Sequence, residues 1–315
     1  MGRACRVCDE PATRVVGTYA YCDVHYARAT RRTDAVWRVD LASIAVLVVF
    51  VLLVAAFDAA VQPELTGTTL ALVGILLALV PAAVWLVFFY RRDRQEPEPR
   101  SMVVGVAVLA WLIGTAVVIP LLEGVLDVSS WIAATPLVYF LGSVLVVGAI
   151  EEFSTYAAVR ATVYGSAEFD EPVDGIVYGS AAGVGLATAL NVAFVIDSGG
   201  LDLGAATIRI VVTALAQASF AGVMGYFLGR HKFELRPIWW MPLGVGIAAL
   251  LNGSFAFLRD SVAARGLDPS LLGTLGPWFG LILAGILAVA VTLGLTAAMR
   301  RGLGHAAPTE APGSP

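Results

Sequence analysis

Apolar residues gather into eight long runs, near 41–61, 67–90, 102–122, 131–159, 173–196, 205–228, 237–258 and 277–298. Each is close to the ~20 residues a helix needs to cross a bilayer core. The pattern predicts an all-α polytopic membrane protein of about eight transmembrane helices. The first forty residues hold cysteines and charges, with no apolar run ending in small residues, so a cleavable leader is not expected and the first span acts as an uncleaved anchor. Beyond Arg301 the tail is rich in Gly, Pro and Ala and short of large apolar side chains, which reads as disorder. The resulting division is a small cysteine-bearing knuckle (1–30), a basic juxtamembrane linker (31–40), a transmembrane helical domain (41–299) and a disordered tail (300–315).

Composition sharpens this picture. Of 315 residues, 58% are hydrophobic and 14% charged, where soluble domains average roughly 45–50% and 25%; a soluble globular protein is excluded. The net charge of −4, and nineteen Arg beside the single Lys232, offer no basic face for nucleic acid. The arginines instead mark sidedness. Arg28, Arg31, Arg32 and Arg38 precede the first run, Arg91, Arg92, Arg94 and Arg100 follow the second, and Arg160 follows the fourth. Arg230, Lys232 and Arg236 follow the sixth, and Arg300 and Arg301 the eighth, while the alternate loops 62–66, 123–130 and 197–204 carry no Lys or Arg. Only Arg259 and Arg265 fall in 259–276. Basic loops stay on the cytoplasmic side, so the chain reads as a multi-pass protein of the cell membrane with both termini cytoplasmic.

All three cysteines lie in the first 22 residues and, with His25, form Cys5-x2-Cys8-x13-Cys22-x2-His25. Two chelating pairs separated by a short loop is the spacing of a tetrahedral Cys3His zinc site. Four protein ligands close the coordination sphere, which makes the zinc structural. A segment this small builds no core of its own, so the metal supplies its stability. The alternatives are unrelated thiols or a disulfide, and a disulfide conflicts with a reducing cytoplasm.

Polar groups at membrane depth are costly and draw attention. The fourth run ends in GAIEEFSTYAAVR, which puts Glu151 and Glu152 near the cytoplasmic interface, on helix positions about 100° apart. They are either functional carboxylates or interfacial glutamates reaching the headgroups. In the fifth run Gly175, Gly179 and Gly183 recur every fourth residue, a groove for close helix approach or for packing alone. Asp174 suits the exposed N–H groups of the helix start, and Asn191 lies deep in the span. Gln217 and Asn252 add amides in the sixth and seventh runs; buried amides most often hydrogen-bond between helices. Arg209 is placed to snorkel or to pair with a carboxylate.

Together these residues resemble the PrsW family of intramembrane proteases, within the broader CAAX-prenyl-protease-like superfamily. The resemblance covers about 149–256, with a family-like core of about 131–258. Its strongest piece is DG-x-x-YG-x-x-x-G-x-G leading to a Glu-Asn pair, carried here by Asp174, Gly175, Tyr178, Gly179, Gly183, Gly185 and Asn191. An earlier EExxK motif corresponds to Glu151 and Glu152, with Thr155 in place of Lys. The resemblance implies a peptide hydrolase in which glutamates and histidines from several helices hold a metal and activate water. Three positions depart from it: the Glu of the pair is Leu190, one His is Gln217 and the His of an HG motif is Asn252. The chain's three histidines are His25, in the cysteine cluster, His231, read as a loop residue, and His305, in the tail. No imidazole is then available at membrane depth, and amide carbonyls are poor zinc ligands.

The sequence therefore supports a PrsW-like pseudoenzyme whose degenerate site is Leu190, Asn191, Gln217 and Asn252, with no intramembrane metal expected. Such a chain acts as a regulatory scaffold that binds a membrane-protein client within the lipid bilayer. The alternative is an active intramembrane metalloprotease with Glu151 or Glu152 as general base. A transporter or lipid-handling role is weaker, because no inverted repeat or pair of broken helices is visible.

Overall fold

The computed structural model describes residues 4–5, 8, 10–16, 19–29, 36–61, 63, 65–92, 99–198, 203–234, 236–264, 269–304 and 309–310. Arg31, Arg32, Arg94, Arg265 and His305, with the side chains of Arg28, Arg38, Arg91, Arg92, Arg300 and Arg301, lie outside the described residues. A hairpin of β1 (Arg14–Val16) and β2 (Tyr19–Tyr21) and the short helix α1 (Asp23–Ala29) form the N-terminal knuckle. Two helices, α2 (Val36–Val61) and α3 (Gly67–Arg92), follow. The remaining long elements are α4 (Arg100–Val125), α6 (Pro136–Thr162), α7 (Pro172–Asp197), α8 (Leu203–Phe233), α9 (Trp240–Ala264) and α10 (Pro269–Gly304), with the single turn α5 (Val128–Trp131) after α4. Eight of these helices are long and apolar enough to cross a membrane.

Several boundaries differ from the apolar pattern, each for a local reason. The fourth span starts at Pro136, not at 131, because Thr135 Oγ1 accepts the Val138 N–H at 3.1 Å and Pro136 occupies the first helical position. The sixth helix runs on to Phe233, so His231 sits in its last turn instead of a loop. The helix of the first span begins at Val36, inside the stretch read as linker. At the other end α10 continues to Gly304, and β3 (Thr309–Glu310) pairs antiparallel with the free edge of β1, so these parts of the tail read as disordered are structured. The rest of the tail lies outside the described residues.

α8 is the central helix, buried along most of its length, and α7 is its most intimate neighbour. Their approach is set by glycine. A Cβ on Gly179 would strike the Ala221 carbonyl and stand 3.0 Å from Gly225 Cα, and one on Gly183 would stand 2.9 Å from Ala221 Cβ. Gly175 faces Gly225 and Gly229 in the same way, so the stripe of the fifth span lies against backbone. Gly185 turns to α4 and meets Ala107. At one end of the pair Asp58, near the end of α2, accepts the Gly204 N–H at 3.2 Å and so caps the start of α8. At the other end Asp174 accepts from the N–H groups of Asp170 (2.9 Å) and Glu171 (2.6 Å) and fixes the entry to α7.

Two helices widen locally into π-turns. In α4 they occupy Gly114–Val118 and Pro120–Val125, where Pro120 supplies no N–H and crowds the preceding turn. In α6 the π-turn spans Ser143–Gly148, directly before the Glu pair. It lies where α6 and α9 touch backbone to backbone: a Cβ on Gly148 would stand 2.7 Å from the Ala249 carbonyl, and one on Gly253 2.5 Å from Val144 N.

The glycine contact carries a direct test. Gly179→Val should cost about 1–3 kcal/mol through overpacking and lower the thermal midpoint of the purified protein by several degrees. Gly105→Val is the control, because a Cβ there meets nothing within 4 Å. Equal midpoints for the two variants would show that the α7–α8 contact does not set stability.

Candidate functional site

The Glu pair is not interfacial. Glu151 lies eleven residues before the end of α6, about 16 Å at ~1.5 Å per residue, and so sits near the middle of a 27-residue span. Both side chains are buried, Glu151 at 5% exposure and Glu152 at 0%. The π-turn before them and the backbone contact at Gly253 bring α9 close enough for a short amide to reach across. Asn252 Nδ2 donates to Glu151 Oε2 at 2.7 Å and to Glu152 Oε1 at 3.2 Å. From α8, Gln217 Nε2 donates to the same Glu151 oxygen at 2.7 Å. Four buried polar residues from three helices therefore meet at one point.

Thr155, at the position of the motif's Lys, is fully buried and donates to the Glu152 carbonyl at 2.9 Å, so it braces α6 from within. Two acceptor atoms of the cluster, Glu152 Oε2 and Gln217 Oε1, are buried with no hydrogen-bond partner among the described residues.

The other two residues of the degenerate set stand apart. Asn191 donates from Nδ2 to the Ile210 carbonyl at 3.1 Å, tying α7 to α8 away from the carboxylates. Leu190 packs among apolar side chains, against Val118, Leu122 and Leu186. The Arg209 guanidinium lies 3.6 Å from the centre of the Phe194 ring and within reach of the charges of Arg259 and Asp260.

Two clamps lie at the helix ends, away from the carboxylates, in contacts that the sequence did not assign. On the side of α6 that begins at Pro136, the Tyr139 hydroxyl donates to Asp260, which also accepts from Arg259 Nε at 2.7 Å. The aliphatic stem of Arg259 packs near Gly280 of α10. On the other side Lys232 Nζ donates to the Phe169 carbonyl at 2.6 Å and stands 4.6 Å from the Phe169 ring centre, which stacks on Tyr178. A sequence signal existed for both: an Arg-Asp pair at a span end, and the only lysine in the chain.

A second cluster lies in the knuckle. His25 Nδ1 is 3.6, 3.4 and 3.1 Å from the sulfurs of Cys5, Cys8 and Cys22, and the sulfurs of Cys8 and Cys22 are 3.8 Å apart. A tetrahedral ion with metal–sulfur bonds of ~2.3 Å and a metal–nitrogen bond of ~2.0 Å spaces its ligands by about 3.8 and 3.5 Å. The four side chains thus form a group that could hold a metal ion. The sulfur separation is far beyond the ~2.05 Å of a disulfide, and none of the three cysteines is disulfide-bonded.

Residues 98–286 match a family described as "PrsW family intramembrane metalloprotease", a stretch running from the start of α4 into α10. "Protease PrsW" of Bacillus subtilis (strain 168) is 29% identical over 193 residues, 60% of this chain and 84% of that one. The protein of the same name in Geobacillus kaustophilus (strain HTA426) is 31% identical over 164 residues, 51% of this chain and 68% of that one. No solved structure matches. The metal in the family description does not fit the membrane cluster of this chain. Zinc-type ions take lone pairs from neutral imidazole, thiolate or carboxylate, whereas Gln217 and Asn252 turn N–H donors toward Glu151. The nearest described imidazole on α8, His231, is fourteen residues from Gln217, about 21 Å along the helix. The fold, the carboxylate pair and the glycine-lined helix remain, and on these matches the chain belongs to the PrsW family of intramembrane metalloproteases.

Proposed function

We propose that this chain keeps the PrsW-type membrane fold without its metal-dependent hydrolysis and acts as a regulatory scaffold that binds a membrane-protein client. The observation that carries the reading is the paired donation from Gln217 and Asn252 to one oxygen of Glu151. Where the family's pattern places metal-binding histidines, this chain has neutral donors that occupy the carboxylate and join α6, α8 and α9. A carboxylate held this way is braced, and no group beside it is suited to deliver a metal-bound water. The knuckle is a structural zinc site that stabilises a cytoplasmic handle, and the distribution of arginine supports both termini facing the cytoplasm. The division into knuckle, linker, membrane domain and tail is part of the same proposal.

One observation favours a second reading. Glu152 Oε2 is buried and unpartnered, and a carboxylate oxygen left free is what a general base acting on water requires. On that reading the chain is an active intramembrane protease.

Metal content and cleavage separate the two. The scaffold reading expects about one zinc per purified chain, lost in Cys5→Ser, and a second ion only after Gln217→His/Asn252→His. It expects no cleavage of co-reconstituted transmembrane peptides, client binding that survives Glu152→Ala, and client binding abolished by Cys5→Ser. Two ions in the unaltered chain, or peptide cleavage that disappears in Glu152→Ala, would sink it.

The amide brace is tested by a double-mutant cycle in detergent unfolding. Asn252→Leu should destabilise by about 1–3 kcal/mol, because it leaves a buried carboxylate short of a donor. In a Glu151→Leu background the same change should cost markedly less. Equal costs in the two backgrounds would show that the hydrogen bond contributes nothing.

A further inference from the structure

Between α2, α3, α7, α8 and α10 lies a cavity of about 110 Å³ that the carboxylate cluster does not use. On α8 its wall is Leu215, Ala218, Ser219 and Gly222, a single face by their spacing of three and four residues, and Gln217 projects from the opposite face. The cavity reaches toward Val173, in the first turn of α7, and Met299, at the end of the eighth span. Its α2 and α10 walls come from residues outside 98–286. It is a feature of how this chain surrounds the family core, not of the core itself.

Volume limits the occupant. One helical turn, ~10 Å across and ~5.4 Å high, takes up roughly 400 Å³, so a client helix does not enter. A dry cavity of ~150 Å³ accepts benzene, and 110 Å³ suits a short run of methylene groups. The lining also carries hydroxyls. Ser219 and Thr296 donate to carbonyls of their own helices, each at 2.7 Å. Ser180 and Thr292 are half-buried and donate to no acceptor among the described residues. In hydrocarbon an unmade hydroxyl bond is costly. A hollow sized for methylenes, edged by two donors and lying within membrane-spanning helices, matches a chain that carries a carbonyl.

We propose that this cavity is a lipid site, holding part of one acyl chain of a membrane phospholipid with its ester carbonyl accepting from Ser180 and Thr292. The proposal is independent of whether the carboxylate cluster is active. The bound chain fills space between the flanking helices and the α7–α8 pair and adds to their direct contacts.

The test uses the full chain, purified in mild detergent with extensive washing, and phospholipid retained per chain counted by native mass spectrometry. The unaltered protein should retain about one phospholipid. Gly222→Leu, which builds into the cavity, should reduce retention at least tenfold, and Ala218→Leu provides the same block where Gly222→Leu fails to fold. Ser180→Ala/Thr292→Val keeps nearly the same volume and removes the hydroxyls; retention should fall about five- to tenfold. No retained phospholipid in the unaltered protein, or equal retention after either leucine substitution, overturns the site. Full retention in the Ser180→Ala/Thr292→Val protein overturns the ester contact.

Discussion

Glu151 sits buried near the middle of a membrane span, and the rest of the central bundle is arranged around what its carboxylate requires. In hydrocarbon each polar group must find its partner inside the protein. A buried carboxylate needs donors, and two amides from two other helices supply them at 2.7 Å each. A side chain as short as asparagine spans the gap only if the helix backbones nearly touch. They do so at Gly148 against Ala249 and at Gly253 against Val144. The π-turn over Ser143–Gly148 lies at this contact and changes the rotational phase of α6 just before the two glutamates.

The same reasoning links the glycine stripe of α7 to the site. Gly183 packs on the backbone of Gln217 itself and Gly179 on that of Ala221. With the main chain of α8 pressed on α7 at this level, the Gln217 side chain is left free to turn toward α6. A larger residue at Gly183 would push α8 away and lengthen a hydrogen bond that has no water to replace it. Packing and polar satisfaction are therefore a single constraint in this region.

Much of this was legible in the sequence, because hydrophobic run length registers the spans directly and each of the eight apolar runs lies largely within a long helix. Gln217 and Asn252 were legible as partners only through the family motif, since periodicity assigns a residue to a helix face and not to a neighbour. That is also why Asn191 was misplaced: it sits on the motif, yet its amide turns to the Ile210 carbonyl. Where the Glu pair falls along its helix depends on where α6 begins, and the Thr135–Pro136 cap sets that start beyond the reach of hydropathy. The clamps formed by Tyr139 with Asp260 and by Lys232 with Phe169 join elements more than sixty residues apart, a separation no local pattern records.

A ligand position that changes from imidazole to amide alters more than affinity. A neutral imidazole offers a metal one lone pair, and beside a carboxylate with no metal the same ring presents N–H by exchanging tautomer or by taking up a proton, so its charge varies with pH. Gln and Asn present N–H to the carboxylate and stay neutral at any pH. Leu190, apart from the carboxylates, packs with its apolar neighbours. The two amides act together on the carboxylate pair. The carboxylates accept the bonds that join α6, α8 and α9, and removing them would leave two buried amides without those acceptors.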